Sequence, residues 1–223
     1  MKNLYVSPVG NKGKKYLKKI IKKFGYQDFD YLIFVYDDTK FNEKIFQNCK
    51  FICEKGKRWY FMKKYATPEY CKEYDYIFVW PDDIDIDNFS YKNFIDIMER
   101  NNLEMAQPAL SHKSHYSHSI TLKQDKKLGR LTDFVEIMVP VFSREAWSKF
   151  YEMMEDYNYC GWGYDDFAKS FCRYKNMGIV DCETVTHVSS INYAPELFDV
   201  KKRLFREHKN YEPSKHNIYG ELR

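Results

Sequence analysis

Tyr74-Asp75-Tyr76-Ile77-Phe78-Val79-Trp80-Pro81-Asp82-Asp83-Ile84-Asp85-Ile86-Asp87 is a short apolar run that ends abruptly in carboxylates. Ile77, Phe78, Val79 and Trp80 have the β-branched and aromatic character of a fully buried strand. Pro81 stops the ladder because it has no N–H to donate. The strand therefore delivers several acids to one end of a sheet. Open α/β sheets bind ligands outside the carboxyl ends of their strands, and clustered carboxylates there suit a hard divalent cation that bridges to a phosphate-bearing substrate. The competing reading is a solvated acidic turn or a helix cap. An EF-hand calcium loop fits worse, because its turn glycine and closing glutamate are absent.

Upstream, residues 4–6, 12–24 and 31–36 read strand, helix, strand. In the helix, Tyr16, Leu17, Ile20, Ile21 and Phe24 form one stripe, and six lysines between Lys14 and Lys23 take the other side. That lysine side reads as a solvated face, with contact to an anionic membrane or a nucleic acid as the rival account. The strand at 31–36 also ends in acids, Asp37 and Asp38. A short strand at 51–53 precedes Lys57-Arg58-Trp59 and a helix to about residue 65. Repeated strand–helix–strand units predict a parallel α/β sheet with right-handed crossovers.

Downstream, a helix at 91–101 and a strand at 104–110 are followed by a polar loop with His112, His115 and His118, which lacks the helical periodicity that spacing would need to bind a metal. Residues 134–142 read as another apolar strand, with Glu136 inside it. That acid either faces a polar site or pairs with Arg or Lys. Ser143 caps the next helix. Gly161-Trp162-Gly163-Tyr164-Asp165-Asp166 opens a further helix, strands follow at 178–181 and 184–188, and 201–209 reads as an exposed basic helix.

With 223 residues, few Pro and Gly, and no linker or repeat, one domain spanning 1–223 is expected, with a basic tail from about 199. The 36 basic and 32 acidic residues give a net charge of only +4, so nucleic-acid binding is not implied. No apolar window is long enough for a signal peptide or membrane span, which predicts a cytoplasmic protein with reduced cysteines.

Taken in order, these segments resemble the family known as domain of unknown function 707, grouped with GT-A glycosyltransferase folds. The likeness runs from about Leu4 to Tyr193. It is carried by Lys18-Lys19-Ile20-Ile21-Lys22-Lys23-Phe24, Phe34-Val35-Tyr36-Asp37, Arg58-Trp59, the acidic strand, Gln107-Pro108-Ala109-Leu110, the run from Phe134 to Arg144 with Trp147, Gly161-Trp162-Gly163-Tyr164-Asp165, and Gly178-Ile179-Val180-Asp181 through His187. The family's acidic element begins with an acid directly after the tryptophan. Here Pro81 takes that place, Asp82 and Asp83 match the other two, and Asp83-Ile84-Asp85 restores an Asp-x-Asp spacing. The glycine-flanked tryptophan is also similar to that of inverting galactosyltransferases.

The resemblance implies a GT-A-like, Rossmann-related α/β fold with a mixed, mostly parallel sheet flanked by helices. It implies a glycosyltransferase that moves a sugar from a nucleotide-diphosphate sugar, a UDP-sugar foremost, to a glycan or glycoprotein. Mn²⁺ or Mg²⁺ would be held by Asp83, Asp85 and His187. By strand order rather than by the resemblance, Asp37 and Asp38 would receive the base or ribose, with Lys57 or Arg58 near the donor phosphates and Asp82 also on the donor side. Asp166 would be the acceptor base and Asp165 would grip the acceptor beside Trp162 and Glu136, although Asp165 is the acid that matches the family pattern. Trp162 either stacks on a sugar or packs the turn. The rival class is a non-catalytic nucleotide-sugar or glycan-binding module, for which the loss of the first acid to Pro81 speaks.

Overall fold

The computed structural model describes residues 1–125, 127–190 and 194–223; Tyr193, the far end of the resemblance, lies outside them. Strand β1 (Asn3–Pro8) is followed by α1 (Lys14–Phe24), β2 (Phe29–Val35), β3 (Lys50–Cys53), α2 (Arg58–Tyr65), α3 (Pro68–Cys71) and β4 (Tyr76–Val79). Next come β5 (Ile84–Asp85), α4 (Tyr91–Arg100), β6 (Met105–Leu110), β7 (Arg130–Thr132), β8 (Val141–Ser143) and α5 (Arg144–Met153). The chain continues through α6 (Tyr164–Cys172), β9 (Met177–His187), α7 (Pro195–Glu207) and β10 (Ile218–Glu221).

The main sheet has the order β10-β7-β9-β6-β8-β4-β1-β2-β3. Pairs β1/β2, β1/β4, β2/β3 and β6/β9 are parallel, whereas β8 runs antiparallel between β4 and β6, and β7 antiparallel between β9 and β10. Within this order β7 and β8 oppose the common direction, as does the short β5 paired beside β9, which makes the sheet mixed but mostly parallel.

Burial follows the two-residue period of the pleat. Tyr76, Phe78 and Trp80 enter one core, and Ile77 and Val79 enter the other. Both faces are covered, by α1 and α4 on the first and by α2, α5 and α6 on the second. Doubly covered strands are apolar at most positions, as residues 4–6 of β1, 31–35 of β2 and the whole of β4 are. Helix α1 buries Leu17, Ile20, Ile21 and Phe24, the stripe its sequence presents.

Three expectations need correction. The strand predicted over 134–142 is a strand only from Val141. Its first part is a buried loop whose backbone is satisfied by side chains instead of a ladder. Gln107 Oε1 accepts from Glu136 N at 2.6 Å, and Arg58 donates to the carbonyls of Ile137 and Met138, both at 2.7 Å. The two late strands are one, β9, with a register shift opposite Pro108/Ala109. The basic tail helix starts earlier, at Pro195, and is not merely exposed, because Leu204 is fully buried.

Candidate functional site

The order 3-2-1-4 places a topological switch point between β1 and β4, where the strand order reverses. Asp82 lies there. Its Oδ2 accepts from Gly10 N after β1 and from the hydroxyl of Tyr36 after β2, both at 2.9 Å. Burial, only partly offset by those bonds, raises its pKa. The switch point adjoins a cleft of about 450 Å³ lined by Arg58, Pro81, Asp82, Asp83, Glu136, Trp162, Asp165 and His187, among others.

At one end Asp83 meets His187. The two-residue strand β5 pairs antiparallel with β9, setting Ile84 opposite His187, and Val188 N donates to Asp83 O at 3.1 Å. That pairing leaves Asp83 Oδ2 and His187 Nε2 3.2 Å apart. His187 Nδ1 is 2.8 Å from the carbonyl of His115, so it must donate, and Nε2 carries either a second proton or a lone pair. Burial alone lowers the imidazole pKa, but the bond and charge of Asp83 outweigh it and the net shift is upward. Asp83 shows the counterpart: burial raises its pKa, and the bond and charge of His187, together with Ser189 and Arg58, bring the net shift down.

A divalent cation fits this pair. Asp83 Oδ1 is buried with no hydrogen-bond partner among the described residues. An imidazole that donates Nδ1–H to a carbonyl presents Nε2 as metal-ligating histidines do. Among the described residues, no three His, Cys, Asp or Glu side chains form a metal-holding group. Asp83 and His187 are thus two donors only, and the rest of a cation's shell would have to come from phosphate oxygens and water. Asp85 does not join them: both its oxygens bind Lys19 Nζ, at 2.8 and 2.9 Å, and it does not line the cleft. The lysine side of α1 lies against the acidic segment and takes up that charge.

At the other end the chain turns through Gly161 and Gly163, with φ of 81° and 93°, left-handed values that favour glycine. A Cβ on Gly161 would also stand 2.2 Å from Trp59. The half-buried Trp162 between them lines the cleft and meets Phe198 of α7 edge-on at 5.2 Å. Asp165 and Asp166 fall in the first turn of α6, where the helix dipole favours anions. Only Asp165 lines the cleft; Asp166 is held by Lys201, Nζ to Oδ2 2.7 Å. Burial first, and then the neighbouring Asp166, raise the Asp165 pKa to about 7. Glu136 is pushed to about 8 by burial and by Asp165, and its Oε2 has no hydrogen-bond partner among the described residues. Of the two roles open to Glu136, it therefore takes the first and faces a polar site.

The remaining expected donor residues are dispersed. Lys57 is exposed at the N-cap of α2, and its neighbour Arg58 faces the cleft instead. Asp37 and Asp38 lie in a separate hollow with Asn11 and Lys14, where Asp37 accepts from Asn11 N at 2.9 Å. Lys201 and Phe198 are cleft residues that the sequence reading missed. Their i, i+3 spacing, continued to Leu204, was the available signal.

The chain is a mixed, mostly parallel α/β sheet flanked by helices, with acids and an imidazole gathered at its strand ends beside the cleft. The family described as "Protein of unknown function (DUF707)" matches residues 1–130 and 126–218, and the chain belongs to it. No curated protein matches the chain. Among solved structures it is similar to S. aureus TarS 1–349 in complex with UDP-GlcNAc, with a TM-score of 0.61 and 12% identity over 95% of this chain and 67% of that one. The complex of TarS 1–349 with UDP gives a TM-score of 0.60 at 13% identity over 92% and 64%. S. aureus TarS itself gives 0.56 at 10% over 95% and 40%. The chain thus spans about two thirds of TarS 1–349, and at such identities the likeness is one of fold. Among the described residues no helix is long and apolar enough to cross a membrane.

Proposed function

We propose that this protein is a glycosyltransferase that moves a sugar from a nucleotide-diphosphate sugar, a UDP-sugar foremost, to a glycan or glycoprotein hydroxyl with inversion. The observation that carries this reading is the lining of one cleft by the Asp83–His187 pair and by Asp165, whose pKa of about 7 suits a base working near neutral pH. The fold shared with TarS structures that hold UDP-GlcNAc and UDP supports it.

Asp83 and His187 would hold Mn²⁺ or Mg²⁺, which neutralises diphosphate charge when bound. Imidazole favours manganese of the two. Arg58, its guanidinium fixed on the Ile137 and Met138 carbonyls, adds a positive charge to the same wall. Asp82 stays tied to Gly10 and Tyr36 and shapes the donor side. Trp162 offers a flat apolar face to the acceptor sugar. The acceptor oxygen attacks the anomeric carbon as its proton passes to the Asp165 carboxylate. The bond from that carbon to the phosphate oxygen breaks, and its electron pair leaves with the diphosphate. A single displacement inverts the anomeric centre. Asp165 thus takes the role of base that the galactosyltransferase likeness gives to Asp166, because Asp166 is engaged by Lys201.

The test is calorimetric binding of a panel of nucleotide sugars with and without Mn²⁺, repeated for Asp83→Ala and His187→Ala. Mn²⁺-dependent binding of one donor, weakened about tenfold or more in both variants, is expected. Donor binding that is unchanged in excess EDTA and in both variants would remove the metal from the reading. Binding without any transfer or donor hydrolysis would favour the non-catalytic module.

A further inference from the structure

We infer that Lys201 is a positioning residue of the cleft: by binding the Asp166 carboxylate it fixes the negative charge there and leaves Asp165 to accept and release the proton. This deepens the acceptor-base reading and brings helix α7 into the site.

Glu136, Asp165 and Asp166 crowd the start of α6, and Asp166 N donates to Asp165 Oδ1 at 3.2 Å. Like charges packed together out of water do not all ionise, so the nearest cation decides which one does. Lys201 Nζ is 2.7 Å from Asp166 Oδ2, and the Asp166 side chain is only 11% exposed. The other basic groups of the cleft are less available: Arg58, which acts on Glu136, is spent on two carbonyls, and burial, with His216 beside it, lowers the pKa of His118, which faces Asp166, to about 4. Asp165 itself is faced by Asp166 on its own helix, Lys201 on α7, Glu136 and the Ile137 amide from the loop before β8, and Cys160 from the turn before α6.

The lysine is well seated. Leu204 of α7 is fully buried, and Gly163 makes room for it, since a Cβ there would be 2.9 Å from Leu204 Cδ2. Phe205 packs edge-on against Phe167 at 4.7 Å, and Lys201 Nζ lies 5.3 Å from the Phe205 ring. Helix α7 therefore holds its ammonium over α6 as a built part of the cleft wall.

The test is a carbon-13 carboxyl NMR titration of Asp165 in the full chain, with calorimetric donor binding measured alongside. Lys201→Met should raise the Asp165 midpoint by roughly one pH unit. Lys201→Arg should keep the wild-type midpoint. Lys201→Met combined with Asp166→Asn should bring it back, because the competing charge is gone. If Lys201→Met does not fold, Asp166→Asn alone serves, and its Asp165 midpoint should fall below wild type. A midpoint unmoved by Lys201→Met or Asp166→Asn, or moved equally by Lys201→Arg, overturns the inference. Failure of the glycosyltransferase reading shows separately, as absence of nucleotide-sugar binding in the wild-type chain.

Discussion

Strand β9 carries Asp181 and His187, buried ionisable groups six residues apart, and they live in opposite circumstances. Asp181 meets Arg130 in a two-pronged ion pair, Nε to Oδ2 and Nη2 to Oδ1 both 2.9 Å, with neither side chain exposed. Arg130 also donates to the carbonyls of Ile120 and Leu122 at 2.8 and 2.9 Å, and Gln124 N donates to Asp181 at 2.7 Å. His187, at the end of the same strand, meets Asp83 at one end of a cleft in which Asp83 Oδ1 and Glu136 Oε2 have no hydrogen-bond partner among the described residues. A closed charge cluster ties a loop to a sheet. An open one keeps bonding capacity in reserve for a ligand, and buried groups left this way cost stability. Family motifs ran through both Asp181 and His187, so only the satisfaction of their atoms separates architecture from site.

The largest expected effect would break this contrast at the cleft. Asp165→Asn keeps the shape but cannot take a proton, so transfer should fall by about 10²–10⁴-fold while the melting temperature holds or rises. Near-normal transfer would show that the open cluster does not supply the base.

At the closed cluster the signs reverse. Asp181→Ala leaves Arg130 buried without its counter-charge and should cost about 3–5 kcal/mol in urea unfolding. The folded fraction should still bind donor normally. A stability loss under about 1 kcal/mol would mean that Arg130 finds other partners.

The pH dependence of stability sharpens the comparison further. Glu136 holds its proton up to about pH 8 in the folded chain and ionises in the ordinary carboxylate range when unfolded. Its contribution is therefore full below about pH 4 and is lost as pH rises through about 8. Glu136→Gln should flatten that decline and be the more stable form at pH 9 by a few kcal/mol. Parallel unfolding profiles for the two proteins between pH 5 and 9 would contradict the buried-acid assignment.

The smallest effect belongs to Asp85. Its partner Lys19 is partly exposed, so Asp85→Asn should change stability by less than about 1 kcal/mol and leave Mn²⁺-supported donor affinity unchanged. A tenfold loss of that affinity would return Asp85 to the metal set.

Much of the site was legible because local chemistry demanded it. An apolar run stopped by a proline must place Asp82 and Asp83 at a strand end, and two glycines around Trp162 must make a turn that starts a helix with acids. Other parts depended on encounters between distant segments. Nothing near Asp85 announces Lys19, 66 residues earlier. The loop before β8 looks like a strand because it is apolar, and it is not one because Gln107 and Arg58 reach its backbone first.

The sequence by itself determined the α/β class, the strand–helix alternation and the acids at the strand ends, since periodicity, proline and glycine act within a few residues. The tertiary structure alone decided which acids share a cleft, that His187 meets Asp83, and that Lys201 from the C-terminal helix claims Asp166 and leaves Asp165 facing the cavity. The reason is physical: a carboxyl's role depends on its desolvation and on the nearest opposite charge, and both are set by chain segments far away in sequence.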